Sequence, residues 1–240
     1  MPDFTIARAE FVPLGGDLRG YYALPAGDGP FPAVLVFQEA FGLNEYMQSE
    51  VRRLAEHGYA AISPDLFRGE TFDYNNFEAA MKAMGKLTDE SMLADTDACI
   101  AFLEQQPQVK SDTFGAIGFC MGGRLSFLVA TSRADKIASA SSFYGGGIAE
   151  KRMLPALLPK AADLKGEMLL VYGADDDHIP PAEHRAVANA LSEQKKRYTL
   201  SVYPGAPHGF ASKDRPSYRP EQAEAAWTES LDMFARTLRG

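Results

Sequence analysis

Alternating strand and helix patterns in this chain of 240 residues predict an α/β fold, a mostly parallel sheet with helices on both faces. Short unbroken apolar runs such as Ala33-Val34-Leu35-Val36-Phe37 and Met168-Leu169-Leu170-Val171-Tyr172 have the character of strands buried on both faces of such a sheet. Helical patterns separate them. The residues with chemical potential stand just past strand ends, where ligands bind in sheets of this kind. The length suits one domain over residues 1–240 with a sizeable core, and no repeat, low-complexity tract or long linker divides it.

Residues 4–12 and 18–24, separated by Gly15-Gly16-Asp17, read as an antiparallel hairpin. Pro32 opens the apolar strand that ends at Phe37, and the loop Gln38 to Leu43 follows. Asn44 is a suitable N-cap for a helix running to His57, stopped by Gly58. Tyr59 to Ser63 is the next strand, closed by Pro64-Asp65, and residues 66–76 form a polar, partly aromatic loop. Helices are expected near 76–86 and 89–106, a strand over Thr113 to Phe119 and a helix over 122–132. Ala138 to Tyr144 makes a strand ended by three glycines, and 148–166 is proline-broken and poorly periodic. After the strand Met168 to Gly173 come a helix from Pro181 to Lys195, an alternating strand Tyr198 to Tyr203, and an amphipathic helix Pro220 to Leu238 bearing the only tryptophan, Trp227.

A formal net charge of −8 argues against nucleic-acid and anionic-membrane partners. No run reaches the length of a membrane span, and Met1-Pro2-Asp3-Phe4 lacks the basic-then-apolar layout of a signal peptide. Cys99 and Cys120 are the only cysteines. Two cysteines without a secretion signal suggest a reducing compartment, the cytoplasm, where a thiol stays free. Cys99 lies among Ala98, Phe102 and Leu103 on a helical pattern and reads as core. His57, His178, His184 and His208 show no metal-ligand spacing, so no metal is expected, and nothing implies a cofactor.

The chemistry centres on Gly118-Phe119-Cys120-Met121-Gly122. A buried strand meets a small polar residue flanked by glycines, and a helix starts at once. That is the G-x-nucleophile-x-G turn. A nucleophile thrust out of so tight a turn has a strained backbone, and a Cβ two residues to either side would collide with strand or helix. The turn also sets Cys120 at a helix N-terminus, where free N–H groups favour an anionic sulfur and a developing oxyanion. The plainer reading is a small residue buried in a glycine turn.

The downstream loops favour the nucleophile. A cysteine nucleophile needs a base and a group to hold that base, in the chain order nucleophile, acid, histidine. The strand ending at Gly173 is followed by Ala174-Asp175-Asp176-Asp177-His178-Ile179-Pro180, and the last strand by Pro204-Gly205-Ala206-Pro207-His208. His208, in a Pro/Gly-bounded loop, is the candidate base. His57 and His184 read as surface residues, and His178 comes too early for the order. Asp176 is the candidate acid because Gly-x-x-Asp-x-x-Ile-Pro sets it at the loop apex, with Asp175 and Asp177 facing solvent. Glu39, directly after a buried strand, is either a solvated loop carboxylate or a neighbour of the thiol whose charge disfavours a resting thiolate. The backbone N–H groups of Ala40 and Met121 are the candidate oxyanion donors. Phe41, Phe67, Tyr74, Tyr144 and Phe210, near strand ends, suggest a weakly polar pocket, although several also suit the core.

These residues together resemble the dienelactone hydrolase family of α/β-hydrolases. The likeness rests on Gln38 to Asn44, Gly58 to Ala61 with Pro64 to Phe67, Gly118 to Gly123, Ser142 to Gly145, Gly173 through Asp176 to Pro181, and Tyr203 to Phe210. It implies an eight-stranded α/β-hydrolase sheet without a large cap domain, a Cys120–His208–Asp176 triad, and a Glu39 that keeps the resting thiol neutral until substrate displaces it. One position departs. Dienelactone-cleaving members grip the substrate carboxylate with two arginines, one of them four residues after the histidine. Ser212 stands there, and residues 69–86 hold no arginine. Carboxylate recognition of that kind depends on the guanidinium fork, so dienelactone itself is a poor fit; Lys213, Arg215, Arg68 and Arg124 are the nearby sources of charge.

The sequence therefore points to a hydrolase of small esters or lactones working through an acyl-cysteine, as a monomer or homodimer. Two alternatives stay open. The same triad could act on a thioester, an activated phosphoester or an organohalide, and the scaffold could serve as a non-enzymatic thiol sensor or binding protein.

Overall fold

The computed structural model describes residues 4–239; the Met1-Pro2-Asp3 stretch that bears on a leader sequence lies outside them. The strands are β1 (Ile6–Gly15), β2 (Leu18–Pro25), β3 (Phe31–Phe37), β4 (Ala60–Pro64), β5 (Val109–Phe119), β6 (Ile137–Phe143), β7 (Glu167–Gly173) and β8 (Tyr198–Tyr203). The helices are α1 (Glu45–Glu56), α2 (Phe77–Met84), α3 (Asp89–Glu104), α4 (Met121–Ser132), α5 (Pro181–Glu193) and α6 (Pro220–Leu238). The strands form an eight-stranded sheet in the order β1-β2-β4-β3-β5-β6-β7-β8. The pairs β3–β4, β6–β7 and β7–β8 are parallel, whereas the hairpin strand β2 runs antiparallel to β1 and β4. The chain packs as two compact units with a boundary after Gly115.

In the first unit the apolar strands β3 and β4 pair Val34 with Ala61 and Leu35 with Ile62, and all four side chains are buried. The side chain of Asn44 accepts the Met47 amide (3.1 Å) and starts α1, whose inner face buries Tyr46, Met47, Val51 and Leu54 at helical spacing. Thr88 and Ser91 cap α3 reciprocally. The loop after β4 is pinned to the loop after β3: the Leu66 amide donates to Gln38 Oε1 (3.2 Å) and the Phe72 amide to the Phe41 carbonyl (3.0 Å). Gly42 allows this approach, since it has φ +87° and a Cβ there would meet the Glu70 carbonyl at 2.5 Å.

In the second unit α4 is buried on every face from Met121 to Thr131, which explains its weak amphipathic pattern in sequence. β7 is covered by β6 and β8, while the edge strand β8 is partly buried except at the exposed Thr199 and Val202. Hydroxyl pairs Ser141–Ser230 (2.9 Å) and Ser139–Thr237 (2.7 Å) join β6 to α6, and the buried Trp227 packs on Phe119 and Phe143.

Three elements differ from the sequence expectation. β1 continues to Gly15 instead of stopping near residue 12, because a register shift between Pro13 and Gly15 keeps it paired with β2, and Pro13 is tolerated on an edge strand. β5 begins at Val109, with the partly exposed Lys110-Ser111-Asp112 extending the buried run from Phe114. The segment 148–166 contains a 3₁₀ helix, Leu158–Asp163, opened by a proline. No helix among the described residues is long and apolar enough to cross a membrane.

Candidate active site

β5 delivers the chain into the glycine turn at Cys120, whose φ of 54° and ψ of −113° put a non-glycine residue in strained backbone at the start of α4. Two backbone bonds hold it there. Its amide donates to the Phe143 carbonyl (3.0 Å), and its carbonyl accepts the Arg124 amide (3.2 Å). Gly118 is needed for the reason the spacing suggests, and Gly123 for a neighbouring one. A Cβ on Gly118 would sit on the Gly122 carbonyl, and one on Gly123 would meet the Phe143 carbonyl at 2.5 Å.

The loops after β7 and β8 bring the acid and the histidine to this turn. His208 Nε2 lies 3.2 Å from Cys120 Sγ, and its Nδ1 lies 2.8 Å from Asp176 Oδ2. The other carboxylate oxygen of Asp176 accepts the amides of His178 (2.8 Å) and Ile179 (3.1 Å), so the loop's own backbone fixes the carboxylate. Asp176 is buried while Asp175 and Asp177 are exposed.

Electrostatics follow from these contacts. Burial works against an imidazolium at His208, but the negative charge of the Cys120 sulfur and the Asp176 hydrogen bond outweigh it and raise the ring to about 10. Burial likewise opposes the Asp176 carboxylate, yet the His208 ring and the two loop amides hold it below its ordinary range. Such an arrangement can pass a proton through Nε2. Cys99 contrasts with it: fully buried in α3, its thiol is pushed well up by desolvation, as befits a core residue.

The remaining expected residues fall in both units. In the first, Glu39 and Ala40 follow β3 and are almost wholly buried, so Glu39 is not a solvated loop carboxylate. Phe41 packs edge-on against Tyr74 (centroids 4.7 Å), and Phe67 against Phe72 (6.0 Å). In the second, Met121 is the first residue of α4. Tyr144 stands directly after β6 with φ 40°, its amide bound to the Val171 carbonyl (2.7 Å) and its buried ring 5.2 Å from His208 and 5.5 Å from Phe210. Of the candidate cations, Arg68 is paired with Asp95 at 2.7 and 2.9 Å, and Arg124 is buried, donating to the Gly147 and Pro155 carbonyls.

Two readings of the histidines need correction. His184 is not a surface residue: α5 turns it inward with Glu183, Val187 and Leu191, and it stacks on Tyr172 with centroids 4.0 Å apart. His57 is half-buried, its Nδ1 2.8 Å from the Arg53 carbonyl. Sequence reasoning also passed over two features near the candidate triad. The exposed His178 stands edge-on to His208 (5.1 Å, 81°). The buried Glu183 accepts the amides of Gly147, Ile148 and Ala149 and pairs with Arg152. The nearness of His178 to Asp176 in sequence signals the first; a lone acid in the first turn of α5 signals the second only weakly.

A family model for dienelactone hydrolases matches residues 18–238. The chain belongs to the dienelactone hydrolase family. Its sheet is accordingly that of the α/β-hydrolase fold. A relative from Methylorubrum extorquens, named provisionally as a carboxymethylenebutenolidase, is 35% identical over 91% of this chain and 77% of its own length. A solved structure of a provisionally named dienelactone hydrolase from Klebsiella pneumoniae is 31% identical, with a TM-score of 0.88 over 97% of this chain and 99% of that one. A dienelactone hydrolase-like promiscuous phosphotriesterase from metagenomic libraries is 25% identical, with a TM-score of 0.82 over 98% of this chain and 99% of that one.

Proposed function

We propose that this dienelactone hydrolase family member hydrolyses small esters or lactones through an acyl-cysteine, with Cys120 as nucleophile, His208 as general base and acid, and Asp176 as the group that holds His208. The observation that carries the reading is the hydrogen-bonded run from Cys120 Sγ through both nitrogens of His208 to Asp176, at 3.2 and 2.8 Å. The sulfur attacks the carbonyl carbon and forms the C–S bond. The tetrahedral oxyanion rests on the amide of Met121, at the start of α4. Its collapse breaks the C–O bond, and the leaving alkoxide takes the proton from His208 Nε2. Water then gives a proton to His208 and attacks the thioester, releasing the acid and restoring the sulfur–imidazole pair. Tyr144 and Phe210, whose rings pack on each other beside His208, give the sulfur a weakly polar flank within the second unit, consistent with Ser212 in place of an anchoring arginine.

A second electrophile has a specific observation in its favour. The likeness to a promiscuous phosphotriesterase supports an activated phosphoester as an alternative substrate for the same sulfur. On the same footing we propose a single working domain in the cytoplasm, monomeric or dimeric, with a small-molecule substrate, no cofactor, and neither nucleic acid nor membrane as partner.

The test is stopped-flow hydrolysis of p-nitrophenyl acetate with intact mass measurement of the quenched protein. A burst with one acetyl group on Cys120, absent in Cys120→Ala, is expected. Cys120→Ser should fold and lose most activity. Undiminished hydrolysis by Cys120→Ala would sink the reading.

A further inference from the structure

We propose that His178 is a positioning residue that sets the tilt of the His208 ring, acting through its own ring and not through its protons. The proposal rests on the acyl-cysteine reading above for its catalytic meaning, but its geometry stands independently.

Hydrogen bonds to Asp176 and Cys120 grip His208 at its two nitrogens, on opposite sides of the ring. Two such grips fix where the nitrogens lie and leave the ring free to rock about the line that joins them. Rocking redirects the proton on Nε2, and proton transfer is sensitive to direction. What resists it is contact with other rings. Tyr144 supplies one such contact from the interior, at 5.2 Å and 62°. His178 supplies another at 5.1 Å and 81°, close to a perpendicular edge-to-face pair.

An exposed side chain is ordinarily a poor brace, because it is free to swing. His178 stands on backbone that is tied on both sides of its Cα. Its amide donates to Asp176 Oδ1 (2.8 Å), and its carbonyl accepts from Arg152 Nη2 (2.8 Å). Arg152 is itself held by the fully buried Glu183 carboxylate (2.7 Å). The same Asp176 carboxylate therefore binds the backbone of the brace with one oxygen and the braced ring with the other. The two imidazoles are referenced to one group.

The test compares His178→Ala and His178→Phe with the parent by two readouts. One is the burst rate, kcat and KM with p-nitrophenyl acetate. The other is the rate at which iodoacetamide alkylates Cys120, read by mass, which needs no ester chemistry. From the usual worth of an edge-to-face pair, His178→Ala should lower burst rate and kcat about two- to tenfold with KM within about twofold. It should also slow Cys120 alkylation several-fold. His178→Phe, which keeps the ring and discards its protons, should restore both. Equal impairment of the two variants would overturn the proposal, because the imidazole's protons would then be what matters. Unchanged alkylation in His178→Ala would overturn it as well. If the parent itself shows no burst dependent on Cys120, the hydrolase reading fails, and the alkylation ratios still decide the role of His178.

Discussion

Glu183 offers a stringent test of the packing behind the candidate site. Its side chain is fully buried, and one oxygen accepts three consecutive amides, Gly147 (2.6 Å), Ile148 (3.0 Å) and Ala149 (3.4 Å), while the other binds Arg152 (2.7 Å). Glu183→Ala strands those donors. The Gly147 and Ile148 contacts are buried, and each orphaned donor costs about 1–3 kcal/mol, whereas the Ala149 contact is partly buried and costs little. Arg152 is substantially exposed and regains water, so the full penalty of breaking a buried ion pair does not apply. The expected destabilisation is about 3 kcal/mol, or roughly 6–12 °C in Tm for a chain of this size. Urea unfolding followed by circular dichroism, with the m-value checked for constancy, reads it directly. Glu183→Gln retains an oxygen acceptor and should recover about half the loss. A Glu183→Ala midpoint within about 1 kcal/mol of the parent would refute the reasoning, since the three amides would then have found other partners.

Three more predictions concern the turn, the thiols and pH. Gly118→Ala drives a methyl into the Gly122 carbonyl and within 2.7 Å of Ser126 Oγ, so it should cost about 1–3 kcal/mol or more in melting experiments and abolish the acetyl burst, while Gly205→Ala, with no atom within 4 Å, should cost only its positive-φ strain. Native protein treated with iodoacetamide should carry one label, on Cys120, and Cys99 should react only after unfolding, as peptide mapping would show. For pH, His208 is raised to about 10, so it stays protonated through neutrality and the burst should fail as pH rises through that value. Its contribution to stability is fully present below about 6.5, the unfolded value, and is lost as pH rises toward 10. Asp176 is lowered, so its contribution is present above about pH 4 and is lost as pH falls through the depressed value. In Asp176→Asn the acid-side loss should vanish and the alkaline limb move down. An unmoved limb would count against the Asp176–His208 bond.

Much of the fold was legible because its inner strands are buried on both faces and its turns are glycine-marked. Residues 33–37 and 168–173 are apolar from end to end, and Gly58, Gly42 and Gly118 stand where a side chain would not fit. The candidate triad was legible for a different reason: Cys120, Asp176 and His208 each stand in the segment that leaves a strand end, so the order of strands dictates their convergence. What escaped were contacts that periodicity does not encode. His184 looked like surface because its neighbours Glu183 and Arg185 are charged, yet Glu183 is satisfied by backbone amides and turns inward with it. His178 looked like a discarded rival because chain order excludes it as the base, whereas its place beside His208 depends on a turn closed by Asp176. The ends of β1 and β5 were misjudged because polar edge residues can still pair.

The contact between Gly123 and Gly145 constrains what descendants of this protein could become. A Cβ on either residue would strike the backbone of the other's turn, at 2.6 Å from the Gly123 carbonyl carbon and 2.9 Å from the Gly145 Cα. Because backbone meets backbone, no compensating change at the second position could relieve a side chain at the first. The two sites are locked singly and jointly, and a saturation scan should find both intolerant in every background. Inheritance can therefore remodel the loops that meet substrate, but the turn bearing the sulfur and the turn after β6 have to be passed on together.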